Sequence, residues 1–377
     1  MELVVSKKDL LRELQLFQGI VERKNTIPIL ANVLMEARGK EVSFLATDLE
    51  VALRSKCAAA VAKSGSLTLP AKKFYEIIKS LPETDIRIAE DKGGVKVAAD
   101  RFDSRMQTLP REDFPTLPEA SASPTATLPR AGIKEMVSKT QFAITGEDTR
   151  YFLNGALFVL RSDTMSLVAT DGHRLALVTV PRDGAGRKDK PAGAGNEDEI
   201  KAILPKKTLG ELARLLAEGD DEIRYERGEN HLFFELGGRL LISRMIDGQF
   251  PAYERVIPKG NDKHIEFERD RLTNAVKRVA LLSNERSRAV KFQIEKGKVD
   301  ITSSSPDLGE ARETLPVEYD GDAMQICFNA QYVLDFLAAV TTDVVALELK
   351  DEVSQAVMKP VSAEGYDYTY VIMPMRV

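Results

Sequence analysis

One order of elements runs through this chain three times. A sequence repeated in plan folds into like modules, each covering its neighbour's exposed face. The segments VSKKDLLRELQLFQGIV (5–21), LPRAGIKEMVSKTQFAI (128–144) and FERDRLTNAVKRVALLS (267–283) open the three copies. Each spaces its apolar residues as one face of a short helix. These are Leu10, Leu14, Phe17 and Val21, then Ile133, Met136 and Val137, then Leu272, Ala275, Val276 and Val279. A strand pair follows each helix: SFLATDLEVALRS (43–55), SLVATDGHRLALVTV (166–180) and VDITSSSPDLGEARETL (299–315). The Ala-Thr-Asp shared by the first two pairs, at 46–48 and 169–171, sits between β-rich runs, where a hairpin turn belongs. A second helix comes next, in LPAKKFYEIIKSLP, LPKKTLGELARLLAEG and FNAQYVLDFLAAV, and strand runs close each copy.

The spacing agrees. Thr47 and Thr170 lie 123 residues apart, Pro70 and Pro205 135, and Pro205 and Asn329 124. The longer middle interval is accounted for by DGAGRKDKPAGAGNEDE (183–199), whose Gly, Ala and charge content reads as a flexible surface loop. Pro, Gly and Ser mark joints at 115–129 and 257–263. The expected division is 1–126, 127–258 and 259–377, in an α+β fold with two helices per module.

Charge is distributed unevenly. The chain carries a net −5, so affinity for a polyanion has to come from where the basic residues lie. The first helices place Lys8, Arg12, Arg23, Lys24, Lys134, Lys139, Arg271, Lys277 and Arg278 outside their apolar stripes. The second helices add Lys72, Lys73, Lys79, Lys206, Lys207 and Arg214. Basic helix faces on an acidic chain suggest one concentrated positive surface, although solvated faces are the ordinary meaning of helical lysine. The sixth helix, AQYVLDFLAAV, has neither Lys nor Arg, so the basic surface is not fully symmetric.

Other classes are disfavoured. No apolar run reaches the roughly 18–20 residues that span a bilayer, and the N-terminus does not read as a secretory signal. Cys57 and Cys327 are too few for a disulfide framework and fit a reduced, cytoplasmic protein. Three His and two Cys form no zinc-type spacing, so neither a metal nor a cofactor is expected. An enzymatic reading has one foothold: Asp171, His173 and Arg174, a base with its orienter. No nucleophile elbow or phosphate-binding loop accompanies it, and a turn or partner-contact role for His173 fits better.

Several segments look made for recognition: TRYFLNG (149–155), TDGHRLAL (170–177), MIDGQFPAYERVIP (245–258) and the terminal YVIMPMRV (370–377). Each could alternatively be core. Together with TLPAKKF, LLSNE and FNAQYVLDFL, they closely resemble the bacterial β sliding clamp family, the processivity subunits of DNA polymerase III. The resemblance covers essentially the whole chain. The sequence departs from the family at the 183–199 insertion, the sixth helix without Lys or Arg, and a third turn, SSSPDLGE, that lacks Thr-Asp.

The resemblance implies three clamp-type domains, with helices packed on curved antiparallel sheets, forming half of a closed ring. Two chains would join head to tail, encircle double-stranded DNA without sequence specificity, and slide on it. It implies a non-catalytic protein whose partners are the polymerase III alpha subunit, the clamp loader, and other polymerases and repair proteins. These would dock through short peptides in an apolar cleft between the second and third domains. One pocket would use Leu153, Thr170, Gly172, His173, Arg174, Leu175, Pro251 and Val256. The adjoining groove would use Arg150, Phe152, Asn329, Tyr332, Val371, Met373, Pro374, Met375 and Arg376. Residues facing DNA would be Lys24, Lys72, Lys79, Lys134, Lys139, Arg150, Tyr151, Lys207, Lys277 and Arg278. The ring joint would set Leu281 and Leu282 against Lys73 and Met106, though paired leucines read equally well as core. The rival reading is a repeat-built scaffold that binds proteins and never encircles DNA.

Overall fold

A computed structural model describes residues 1–21, 26–121, 124–146, 148–182 and 199–376. Among these residues the helices are α1 (Lys7–Phe17), α2 (Ala71–Ser80), α3 (Arg130–Thr140), α4 (Lys206–Leu215), α5 (Arg269–Ala280) and α6 (Ala330–Ala339). The expected apolar stripes are buried: Leu10, Leu14 and Phe17 on α1, Ile133, Met136 and Val137 on α3, and Leu272, Ala275, Val276 and Val279 on α5. Val21, expected on the first helix, lies past its end but is still buried. Ser6 caps α1 by accepting from the Asp9 amide at 3.2 Å, and Asn329 caps α6 by accepting from the Gln331 amide at 2.9 Å.

The three hairpins form as read. Strand Glu41–Thr47 pairs with Val51–Ala58, Thr164–Thr170 with Arg174–Pro181, and Lys298–Ser305 with Gly309–Pro316. A further regularity was not read from the sequence. The first residue of each opening helix, Lys7, Arg130 or Arg269, donates its side chain to a carbonyl just past the second helix, that of Leu81, Leu216 or Val340. Their backbone amides donate to the carbonyls of Thr84, Asp221 and Asp343. A cation on the last carbonyls complements the negative end of a helix dipole. One contact therefore ties the two helices of every repeat.

The chain forms two compact units, residues 1–131 with 207–245 and residues 132–206 with 246–377. The central repeat is thus shared between them, because strands pair across repeat boundaries. In the first unit, Val51–Ala58 pairs with Arg239–Arg244, setting Arg54 opposite Leu240, Leu53 opposite Leu241 and Ala52 opposite Ile242. In the second, Arg174–Pro181 pairs with Asp367–Ile372, setting Leu175 opposite Val371 and Ala176 opposite Tyr370. Each joint lies within an eight-stranded antiparallel sheet. The remaining sheets have Ala60–Lys63 and Phe102–Met106 as edge strands in the first unit, and Gly309–Pro316 and Met324–Asn329 in the second.

Candidate functional site

The recognition segments converge within the second unit, around the turn after strand Thr164–Thr170. Thr170 Oγ1 donates to the Arg174 carbonyl at 2.7 Å and accepts from the Gly172 amide at 3.1 Å. Asp171 Oδ1 accepts from the amides of His173 and Arg174 at 2.9 and 3.0 Å. Gly172 has φ +87°, a conformation that side chains oppose. A Cβ there would also stand 3.3 Å from the Arg150 guanidinium. The first repeat builds the same turn from Thr47 and Asp48, with Leu49 at φ +79° in the glycine's place. The shared Ala-Thr-Asp is therefore a turn code, and chemistry is added to it only in the second copy.

The addition is Arg174, mostly buried. Its guanidinium donates to Asp171 Oδ2 at 3.0 Å and to the Phe142 carbonyl at 2.8 Å, and it pairs with Asp335 of α6. It lies 4.4 Å from the centroid of Tyr332 and 5.3 Å from that of Phe142. Burial opposes its charge, but Tyr370, Asp335 and Asp171 outweigh burial and raise its pKa. Burial, followed by Asp171, raises the Tyr332 phenol. Arg174 thus fixes the turn to α6 and is not a free cation awaiting a ligand. The Asp171 carboxylate is spent on the turn and on Arg174, so it does not orient the imidazole. The His173 ring stacks on Tyr332 at 6.5 Å.

Apolar residues form the floor. Leu175, Val371, Phe250 and Tyr253 share one buried cluster, and Phe152 and Val256 pack on it while partly exposed. The C-terminal segment is pinned alongside: the Met373 amide donates to the His173 carbonyl at 2.9 Å, and that of Met375 to the Cys327 carbonyl at 2.8 Å. Half-exposed Met373, Pro374 and Met375 therefore border the turn, with Asn329 and Tyr332 at the start of α6. Leu153 and Thr170 are buried, whereas Gly172, His173, Pro251 and Arg376 are exposed. Arg150 is exposed and makes a two-pronged pair with Asp148, which holds the Asp148 carboxyl down to about 2. The adjacent Tyr151 is 56% exposed.

The basic candidates divide. Lys79, Lys134 and Lys277 are exposed on their helices, and Lys72 is half-buried. Lys207 pairs with Asp48, and Arg278 makes a two-pronged pair with Glu313. Lys24 lies outside the described residues, as does nearly all of the 183–199 insertion. Lys139 must be corrected: it is 1% exposed and is not a DNA-facing residue. Its ammonium sits 2.6 Å from Glu135, 3.1 Å from the Ala339 carbonyl and 4.7 Å from the Tyr366 ring centroid. It supplies a cation to the C-terminal end of α6, the helix that has none of its own. Of the joint candidates, Leu281 is 75% exposed, so it is not core; Met106 is buried, and Lys73 is exposed and paired with Glu76.

Sequence reading missed Asp148, Phe142 and Asp335. The signal for Asp335 was available: a lone acid on a helix without a base needs a cation from elsewhere.

Comparison with known proteins agrees over the full length. Residues 1–118, 127–252 and 254–376 match, in order, the N-terminal, central and C-terminal domains of the DNA polymerase III beta subunit. The chain is 38% identical to the beta sliding clamp of Pseudomonas putida and 36% identical to that of Escherichia coli K12, with 100% of both chains covered in each comparison. Among solved structures, the Pseudomonas aeruginosa sliding clamp bound to griselimycin is similar with TM-score 0.92 at 37% identity. Caulobacter crescentus pol III beta is similar with TM-score 0.90 at 35%, again with 100% of both chains covered. With three matched domains, repeated hairpins and the assembled C-terminal site, this chain belongs to the DNA polymerase III beta subunit family, the bacterial sliding clamps.

Proposed function

We propose that two copies of this chain close head to tail into a ring around duplex DNA and slide on it as the processivity factor of the replicative polymerase. The protein is a non-catalytic subunit. The two sheet joints carry the reading. Within the chain, each repeat is joined to the next by an antiparallel strand pair, and the edge strands Phe102–Met106 and Gly309–Pro316 would be the corresponding partners between chains. A contact between unlike surfaces closes a ring when its rotation allows. Exposed Lys79, Lys134 and Lys277, with Lys72, would meet phosphates, which position a protein without conveying sequence. Exposed Leu281, with Leu282, would cover the joint opposite Lys73 and Met106.

The cleft floored by Leu175 and Val371 and bordered by His173, Tyr332 and Met373 would take short apolar peptides from the polymerase, the clamp loader and other partners. Buried apolar anchors carry most of the affinity in such sites. The three domains are assigned as 1–126, 127–258 and 259–377, and the protein works in the cytoplasm. No helix among the described residues is long and apolar enough to cross a membrane. Sedimentation equilibrium tests the assembly: the expected mass is twice 41.7 kDa, and a monomer at every concentration would refute it.

A further inference from the structure

The linkers after the first and second repeats share a Phe-Pro, at 114–115 and 250–251, and differ three residues after the Phe, where Leu117 stands in the first and Tyr253 in the second. Strand register shows what each linker covers. Asn32 pairs with Pro70 as Gly155 does with Pro205, and Thr47 pairs with Ala52 as Thr170 does with Leu175. These matches align Leu34 with Leu157, Glu36 with Val159, Arg38 with Arg161, Leu45 with Val168 and Arg54 with Leu177. In the second repeat this sheet face is filled. Leu157, Val159, Val168 and Tyr253 share one buried cluster, with Leu177 packed on it. Burial, followed by Glu254, raises the Tyr253 phenol, and a hydrogen bond with Arg161 opposes them, so the hydroxyl ends beside that guanidinium.

In the first repeat the same face is open. Leu117 packs instead against Ala52, Phe233 and Ile242, and Phe114 clusters with Leu34 and Leu45. Beside them lies a cavity of about 310 Å³ lined by Leu34 and Leu45 and by five charged side chains. Two of those charges are spent: Glu36 pairs with Arg111, and Glu41 lies 3.0 Å from Lys56. Arg38, Arg54 and exposed Glu119 make no ion pair or side-chain hydrogen bond among the described residues. Arg54 is half-buried, with Leu45 opposite it on one neighbouring strand and Leu240 on the other. A guanidinium in such surroundings normally finds a partner for its donors. Two unpaired guanidiniums against one unpaired carboxylate leave the cavity suited to an anion, and a charge-assisted bond to a carboxylate is the strong form of that contact.

We propose that this cavity binds a small hydroxyaryl carboxylate, with its carboxylate on Arg54, its ring over Leu34 and Leu45, and its hydroxyl toward Arg38. The ring takes the place that Tyr253 fills in the second repeat, and the hydroxyl meets Arg38 as that of Tyr253 meets Arg161. The volume is at the small end of ligand sites, enough for one ring and a short acid arm. The site belongs to the first unit alone and does not depend on the ring reading.

A ligand-observed NMR titration of the full chain with 4-hydroxyphenylacetate tests this. The expected result is saturable binding with a dissociation constant of about 1 mM or lower, and binding at least about tenfold weaker for the neutral 4-hydroxyphenylacetamide. Arg54→Leu, which installs the second repeat's residue, should weaken the acid about tenfold or more. Leu117→Tyr should abolish binding by supplying the missing ring from the chain itself. Neither change should alter peptide affinity at the cleft of the second unit, which checks that both variants fold. Absence of saturable binding, equal binding of acid and amide, or unchanged affinity in either folded variant overturns the proposal. The acid and amide are compared on the unsubstituted chain, so that comparison decides by itself should a variant fail to fold.

Discussion

Thr170 and Thr47 make the same hydrogen bonds, yet only one of them borders the proposed recognition site. The difference lies in the rest of each turn: Gly172, His173 and Arg174 complete one, Leu49 and Glu50 the other. Leu49 holds φ +79° and is 44% exposed. Left-handed backbone costs a residue with a Cβ about 1–2 kcal/mol. Leu49→Gly should therefore stabilise the first unit by about 0.5–1 kcal/mol once the entropy of glycine is counted, measurable as a raised urea midpoint. At Gly172 the sign reverses, since alanine there meets both strain and Arg150. On the floor and at the border of the proposed cleft, Leu175→Ala or Met373→Ala should each weaken binding of a labelled Gln-Leu-x-Leu-Phe peptide by about 1–3 kcal/mol. Unchanged affinity in both variants would place the site elsewhere. Much of this site was legible because the turn motif and the Met-Pro-Met terminus are local strings. Phe142 was not, because its role depends on Arg174 reaching across the fold, whereas Asp148 stands only two residues from Arg150 and was simply overlooked.

Among the elements, helices and hairpins were readable from apolar period and turn residues. What periodicity does not carry is which cation serves which helix end. Lys139 reads as an exposed base from its spacing, since Lys at a helical position is normally solvated; packing of α3 beside α6 turns it into a buried partner of the Ala339 carbonyl. Lys139→Met should leave DNA retention unchanged while lowering stability by about 1–3 kcal/mol, because the polar groups around it lose their partner. Arg269→Ala, which frees the Val340 carbonyl, should cost about 1 kcal/mol. Asp300 offers a pH readout. Hydrogen bonds from Thr314, then Arg312, lower its carboxyl from the ordinary 3.8 to about 2. A carboxyl lowered in the folded state adds stability above its unfolded value, and that stability is lost as pH falls. The contribution is fully present above about pH 4 and disappears between about pH 4 and pH 2. In Asp300→Asn this acid-sensitive component should vanish from urea midpoints measured across that range. An unchanged acid dependence would contradict the assignment.

At the scale of the molecule, the repeat was legible and the partition into compact units was not. Element order reveals three modules, but strand pairing across their boundaries depends on which edges meet in space. Phe102–Met106 and Gly309–Pro316 are among the strands that end the sheets, with Leu281 exposed in the second unit. Replacing Leu281 and Leu282 together with alanine should open or split the ring. A dimer of that variant persisting at nanomolar concentration would move the joint elsewhere. Encirclement makes a stronger demand than dimerisation, because it holds protein on DNA without tight binding. The direct measurement loads the clamp onto a nicked circular DNA, removes free protein and then cuts the circle. The account predicts retention on the circle and prompt loss from the linear ends. Equal retention before and after cutting, or none on the circle, would contradict it.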